Sequence, residues 1–192
     1  MSKIREKIID VAFDEIYTKG YQGVSLNEII KIANVQKGSL YHHFKSKKEL
    51  ALSVIRERVS IRNQNTWKRL REIDSGFLDF IFLILRETEQ RDFKRGCPIG
   101  NLLQEMSSID EEFKFEIDTI LKSWQSLFKS IIEKAIEARE LREVDSEKLS
   151  LFLISNIEGA ILLSKNSKSE KEYLICVEEL QNYFEYLKVS NS

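Results

Sequence analysis

Ala33-Asn34-Val35-Gln36-Lys37-Gly38-Ser39-Leu40-Tyr41-His42-His43-Phe44-Lys45-Ser46-Lys47-Lys48-Glu49-Leu50 reads as one short helix between two turns. Asn34 tolerates left-handed backbone and can close a preceding helix. Val35, Leu40 and Phe44 are apolar and face inward, fixing a helix of roughly Lys37 to His43 against Ile8, Ala12 and Ile29. Gln36, Lys37, Ser39, Tyr41 and His42 then occupy the open side, and Gly38 leaves room for close backbone approach. These are hydrogen-bonding and phosphate-binding types, as a groove-facing helix needs. Ser46 and Glu49 form a capping box that opens a long fourth helix reaching about Arg71. Lys47 sits at its start, where free backbone donors and an ammonium together make a phosphate seat.

Upstream, Ser25-Leu26-Asn27-Glu28 is another capping box, so a second helix begins at Leu26 and ends near Ala33. Ile4, Ile8, Ile9, Ala12, Phe13 and Ile16 recur at helical spacing and predict a first helix from Lys3 to Lys19, closed by Gly20 in a left-handed turn. Three helices with tight connections within about 45 residues have the dimensions of a trihelical DNA-binding unit. Residues 1–50 carry nine basic groups against six acids, while the whole chain has a net charge of −1. A modestly basic head on an acidic body suits a DNA-facing head.

The chain has 192 residues, 42% hydrophobic and 32% charged, which is enough for a packed core and too apolar for disorder. Seven Gly and one Pro favour helices throughout, and no strand-like alternation or internal repeat interrupts them. Asp10, Asp14 and Glu15 break any apolar leader, and Phe77–Leu85 is too short to span a bilayer. Two cysteines, Cys97 and Cys176, make no disulfide framework. A cytoplasmic protein with reduced thiols is expected.

Beyond Asp74-Ser75-Gly76, Phe77, Phe80, Ile81, Leu83, Ile84 and Leu85 predict a buried fifth helix. A loop at 91–95 leads to Gly96-Cys97-Pro98 and a short helix to about Met106. A long helix runs from Asp110 to near Glu140. Two more cover roughly Ser146–Lys165 and Ser169–Lys188, the second opened by a capping box of Ser169 with Glu172. The expectation is an all-α chain of about nine helices: a helix-turn-helix domain (1–48) and a helical regulatory and dimerisation domain (49–192).

The last two helices leave little room for a solvated face. Leu149, Leu151, Phe152, Leu153, Ile154, Ile157, Ile161, Leu162 and Leu163 crowd one, and Tyr173, Val177, Leu180, Phe184 and Leu187 stripe the other. A helix apolar nearly all round buries two faces, and a second copy of the chain is the simplest partner for the outer one. One wide monomer core is the alternative.

The stretch Gly20–Ile30 together with Ala33–Leu50 resembles the signature of the TetR family of transcriptional regulators. The resemblance is specific over residues 4–55 and architectural beyond them. Asn34 stands where that family usually has Gly. The resemblance implies that Ser25 and Asn27 meet backbone or bases, and that Tyr41 and Lys47 clamp phosphates. Lys37, Ser39 and His42 would lie nearest the base edges. It also implies a homodimer on double-stranded DNA with a palindromic operator, most simply as a repressor, released by an inducer.

Pro98 suits a first helical position, which makes Cys97 a candidate N-cap. The helix end and the preceding Lys94 and Arg95 would favour its thiolate. Gly96-Cys97-Pro98-Ile99-Gly100-Asn101-Leu102 resembles the Gly-Cys-x-x-x-x-Leu segment of an electrophile- or oxidant-sensing TetR branch. By that resemblance Lys165 would lie beside the cysteine. Cys97 can equally be packing, with release by a non-covalent ligand among Phe77, Phe80, Phe113, Trp124, Phe128, Asn156 and Glu158. Cys176 reads as packing. His42 and His43 point about 100° apart on a helix and make no metal site. With no Gly-rich phosphate loop or metal-spaced cluster, neither an enzyme nor a cofactor is expected. The rival is a helical small-molecule-binding or adaptor protein without sequence-specific DNA binding.

Overall fold

Ser2 accepts a hydrogen bond from the Ile4 amide and starts α1 (Lys3–Lys19), whose Ile8, Ile9 and Ala12 are fully buried. A computed structural model describes residues 2–189 of the chain. Gly20 ends α1 at φ 79°, ψ 165°, a positive-φ conformation more extended than the left-handed helical turn expected there. The turn that follows needs Gly23, because a Cβ at that position would sit 2.4 Å from the Lys19 carbonyl oxygen.

α2 (Leu26–Ala33) opens with a complete capping box. Ser25 Oγ accepts from the Glu28 amide, and the Glu28 carboxylate accepts from the Ser25 amide. Asn34 takes the left-handed turn at φ 49°, ψ 53°. α3 (Lys37–His43) is anchored by Leu40 and Phe44, both buried, whereas Val35 is only partly covered.

α4 (Lys47–Val54) departs from its expected cap in one bond. Ser46 accepts from the Glu49 amide, but the Glu49 carboxylate reaches the Lys45 amide rather than that of Ser46. The helix then loosens into a π-helical turn (Ile55–Val59), continues as α5 (Ser60–Thr66) and gives way to a 3₁₀ turn (Lys68–Arg71). The regular helix thus stops at Thr66, short of Arg71. α5 has no buried residue, and its Asn and Thr content favours helix poorly. Trp67 breaks away to bury its ring against Trp124 and Phe128, at centroid distances of 5.5 and 5.0 Å.

The remaining helices are α6 (Phe77–Arg86), α7 (Pro98–Met106), α8 (Glu111–Glu137), α9 (Ser146–Ser167) and α10 (Lys171–Leu187). With Lys47–Thr66 taken as one rod, the described residues form nine helices and an all-α fold. α10 starts at Lys171, later than expected: Ser169 accepts from the Lys171 amide, and Glu172 accepts from the Ser167 hydroxyl. No capping box forms between Ser169 and Glu172.

The chain divides into two compact units, Met1–Gln64 with Pro98–Ile120, and Asn65–Cys97 with Leu121–Ser192. In the first, the Glu105 carboxylate on α7 accepts from the Tyr21 and Gln22 amides at 2.8 and 2.7 Å. Arg5 grips Glu57 through two hydrogen bonds, and Arg58 reaches Glu6 and Asp10, which ties the π-turn to α1. Lys48 pairs with Asp110 and Glu112 at the start of α8. In the second unit, α9 and α10 pack with α6 around Tyr173, Phe184 and Phe82. The Glu140 carboxylate accepts from the Gly76 and Leu78 amides at the start of α6.

Replacing Glu105 with Ala removes the acceptor of two amides in the turn between α1 and α2. Glu105→Ala is expected to lower stability by about 1–3 kcal/mol, read from the midpoint of urea unfolding. An unchanged midpoint would show that the turn holds itself.

Candidate nucleic-acid interface and buried polar cluster

The rotation of α3 is set by Leu40 and Phe44, and it leaves Gln36, Lys37, Gly38, Tyr41 and His42 exposed, with Ser39 partly so. Ser25 and Asn27, at the start of α2, are exposed as well. Lys37 leans over the Tyr41 ring, its ammonium 5.9 Å from the centroid. Lys47, the first residue of α4, stands 4.4 Å over the Tyr21 ring and 3.5 Å from the Gln22 carbonyl.

Charge is sorted around this face. Arg5, Lys19, Lys48 and Arg58 are spent on carboxylates within their own unit. Lys31, Lys37, Lys45 and Lys47 form no ion pair among the described residues. Lys3 and Lys7 on α1 are unpaired among the described residues as well, so the uncompensated positive charge of the head includes but is not confined to α3 and its flanks, where it can meet phosphates. A Cβ at Gly38 would meet nothing within 4 Å, so the fold itself does not demand glycine at this exposed position.

The second cluster lies in the C-terminal unit. Cys97 is partly buried, and its thiol hydrogen-bonds the Glu158 carboxyl on α9. Burial pushes the Glu158 carboxyl above its ordinary range, against the opposing pull of that thiol and of the Arg91 charge. The Arg91 guanidinium lies over the rings of Tyr173 and Trp67, 4.9 and 5.8 Å from their centroids. Tyr173 is fully buried, donates to the Leu85 carbonyl at 2.9 Å, and has its hydroxyl pushed up to about 12 by burial.

The group found beside the Cys97 sulfur is thus a carboxyl. Arg95, expected to help the thiolate, is held by Asp92 at 2.6 Å. Lys165 is partly buried, two helical turns beyond Glu158 and about 10 Å further along the α9 axis. Cys176 packs partly buried against the core.

Of the other candidate residues, Trp124 and Phe128 join this cluster through Trp67. Phe77 and Phe80 sit in the first half of α6, away from the Ile84 and Leu85 carbonyls that Arg91 and Tyr173 engage. Asn156 donates to the Phe152 carbonyl of its own helix. Phe113 is buried in the first unit against the Tyr21 ring, at 4.9 Å. Arg91 and Trp67 carry no sequence signal for this cluster, and Tyr173 reads there only as part of an apolar stripe. An arginine in a polar loop carries no mark of burial, and Trp67 lay inside a stretch read as regular helix.

Glu158 yields a pH prediction. Its folded-state pKa is raised, so the native state binds the proton more tightly than the unfolded chain, and stability falls as pH rises through that range. Glu158→Gln removes the penalty. The melting-temperature gain of the variant over the wild type should be small near pH 4.5 and grow toward pH 7.5, as read by calorimetry. A gain independent of pH would contradict the raised carboxyl.

Comparison with known proteins agrees with this geometry. Residues 8–54 match the family model described as bacterial regulatory proteins, tetR family. Residues 77–175 match that of the tetracyclin repressor-like C-terminal domain. An uncharacterized HTH-type transcriptional regulator in the lacX 3' region of Lactococcus lactis subsp. lactis is 30% identical over 190 residues, covering 97% of this chain and 92% of that one. The HTH-type transcriptional repressor DhaR of a Mycobacterium species is 27% identical, covering 88% of this chain and 85% of its own. The crystal structure of a regulatory protein TetR from Rhodobacter sphaeroides superposes with a TM-score of 0.86 at 26% identity, covering 95% of this chain and 100% of that one. With an exposed polar α3 on a capped three-helix head and both halves matched, this chain belongs to the TetR family of DNA-binding transcriptional regulators.

Proposed function

We propose that the chain is a cytoplasmic, homodimeric repressor. Its head (1–48) holds a palindromic operator, and its body (49–192) releases it when a small molecule binds. The observation that carries this is the polar side of α3, solvent-facing and surrounded by four lysines without ion pairs. In this reading Gln36, Lys37, Ser39 and His42 face base edges, and Tyr41 and Lys47 hold phosphates. Ser25 and Asn27 flank them from α2, and Gly38 lets the backbone approach the duplex. DhaR carries the word repressor in its name, which supports the same direction of control.

The dimer reading rests on the outer surface of the last two helices. Tyr173, Val177, Leu180, Phe184 and Leu187 turn into the core of their own chain. Leu151, Phe152, Leu162, Leu163, Ile175 and Tyr186 remain exposed to between 43% and 75%. An apolar surface of that kind on paired helices suits isologous pairing with a second copy.

In this reading release follows a non-covalent ligand rather than modification of Cys97, whose thiol is engaged by the Glu158 carboxyl. Either trigger would have a short way to travel along the chain. Cys97 directly precedes α7, and α7 bears the Glu105 carboxylate that holds the Tyr21 and Gln22 amides.

Binding is checked by fluorescence anisotropy on duplexes selected by the protein from a random pool. Affinity should fall steeply with salt, and Tyr41→Ala with Lys47→Ala should abolish it while the dimer persists. Gly38→Ala should hold or raise the melting temperature, since alanine favours helix by about 0.5–1 kcal/mol, yet weaken the duplex complex. Salt-insensitive or absent binding would favour the adaptor reading instead. Separately, Phe152→Glu with Leu163→Glu should convert a dimer to a folded monomer in sedimentation velocity. A wild-type monomer would remove the pairing.

A further inference from the structure

Four buried polar atoms of the C-terminal unit have no hydrogen-bond partner; beside the Ser164 hydroxyl there are three that bear on a ligand, Arg91 Nε, Trp124 Nε1 and Glu158 Oε1. Stranded buried donors and acceptors are rare because each forfeits its hydration without recompense. These come from separate elements, the loop after α6, the middle of α8 and the middle of α9. The aromatic contacts join them: Arg91 lies over Tyr173 and Trp67, and Trp67 stacks on Trp124. Arg91 and Glu158 are close enough for one charge to act on the other. Among the described residues, however, no carboxylate comes within 4.0 Å of the Arg91 guanidinium.

The open edge of Arg91 carries a specific chemistry. Its Nε–H is unpaired, and Nη2 makes only a 3.5 Å contact to the Ile84 carbonyl. Those two groups form the planar fork that a carboxylate engages with both oxygens. The Trp124 N–H is a further donor of the same polarity. A cationic ligand would leave both N–H groups stranded and add charge of the wrong sign. A neutral amide would offer one acceptor and leave the guanidinium uncompensated. Glu158 Oε1 is likewise without a partner and can accept a hydrogen bond from a bound ligand.

We propose that Arg91, Trp124 and Glu158 form the polar end of a binding site for a small organic carboxylate. The acid group sits on the Nε/Nη2 edge of Arg91 and the indole N–H of Trp124. The apolar body of the ligand lies toward Trp67 and Phe128. The proposal names the effector class for the regulator described above and rests on that reading.

The only two tryptophans of the chain, Trp67 and Trp124, are both in this cluster, so intrinsic fluorescence of the full-length protein reports on it. Butyrate and cyclohexanecarboxylate, titrated at constant ionic strength, should give a saturable change, with the matching amides at least about tenfold weaker. Arg91→Gln should weaken carboxylate binding about ten- to hundredfold. Asn156→Ala, whose amide is bound to its own helix, should leave binding unchanged. Should Arg91→Gln fail to fold, Trp124→Phe keeps a ring in the stack, removes only the donor, and should also weaken binding, read through Trp67. No saturable change with either acid, amides as tight as acids, or undiminished binding by Arg91→Gln would each overturn the site. DNA binding is measured in parallel. A chain that binds duplex but ignores carboxylates loses this site and keeps the repressor reading. A chain that binds carboxylates through Arg91 but no duplex keeps the site and loses that reading.

Discussion

Leu40 and Phe44, almost wholly buried, hold a seven-residue helix at one rotation about its axis. A helix this short has little stability of its own, so its orientation comes from the apolar side chains it lends to the head. Turn α3 by half a revolution and Tyr41 and His42 would enter the core, while Leu40 would meet water. The polar face is therefore a consequence of the packing beneath it. The capping box at Ser25, the left-handed Asn34 and the Ser46 cap each fix one end of an adjoining helix, so the head carries few loose joints.

The C-terminal unit is built on a different principle. Its core is dense with rings, and Trp67, Trp124, Phe128, Tyr173 and Phe184 all have 3% or less of their surface exposed. Into that core the fold brings a guanidinium and a carboxyl that do not touch. Local rules are most often broken where a protein does something besides fold. An apolar filling would leave no polar atom stranded there. The Cys97–Glu158 contact belongs to the same pocket of polarity.

Most of the head was legible because its signals are local. A cap and its partner are three residues apart, and α1, α2 and α3 begin and end where such signals put them. Local signals also misled. Ser169 and Glu172 have the spacing of a capping box, yet each finds a different partner. The π-turn at Ile55–Val59 was invisible, since it answers to Arg5, Asp10 and Glu6 some fifty residues away. The same holds for Glu105, whose amide partners are 84 and 83 residues distant, and for Arg91, which lies over rings from two separate segments. Aromatic side chains at helical spacing mark core and pocket alike. Only the fold separates Trp124 from Phe77.

The central claim, that the outward side of α3 meets DNA, is tested most directly by hydroxyl-radical footprinting of the protein's own side chains. With saturating duplex, oxidation of Tyr41 and His42 should fall sharply while that of Phe115, exposed on α8, stays as it was. Unchanged oxidation of Tyr41 and His42 in a complex shown to have formed would contradict the account.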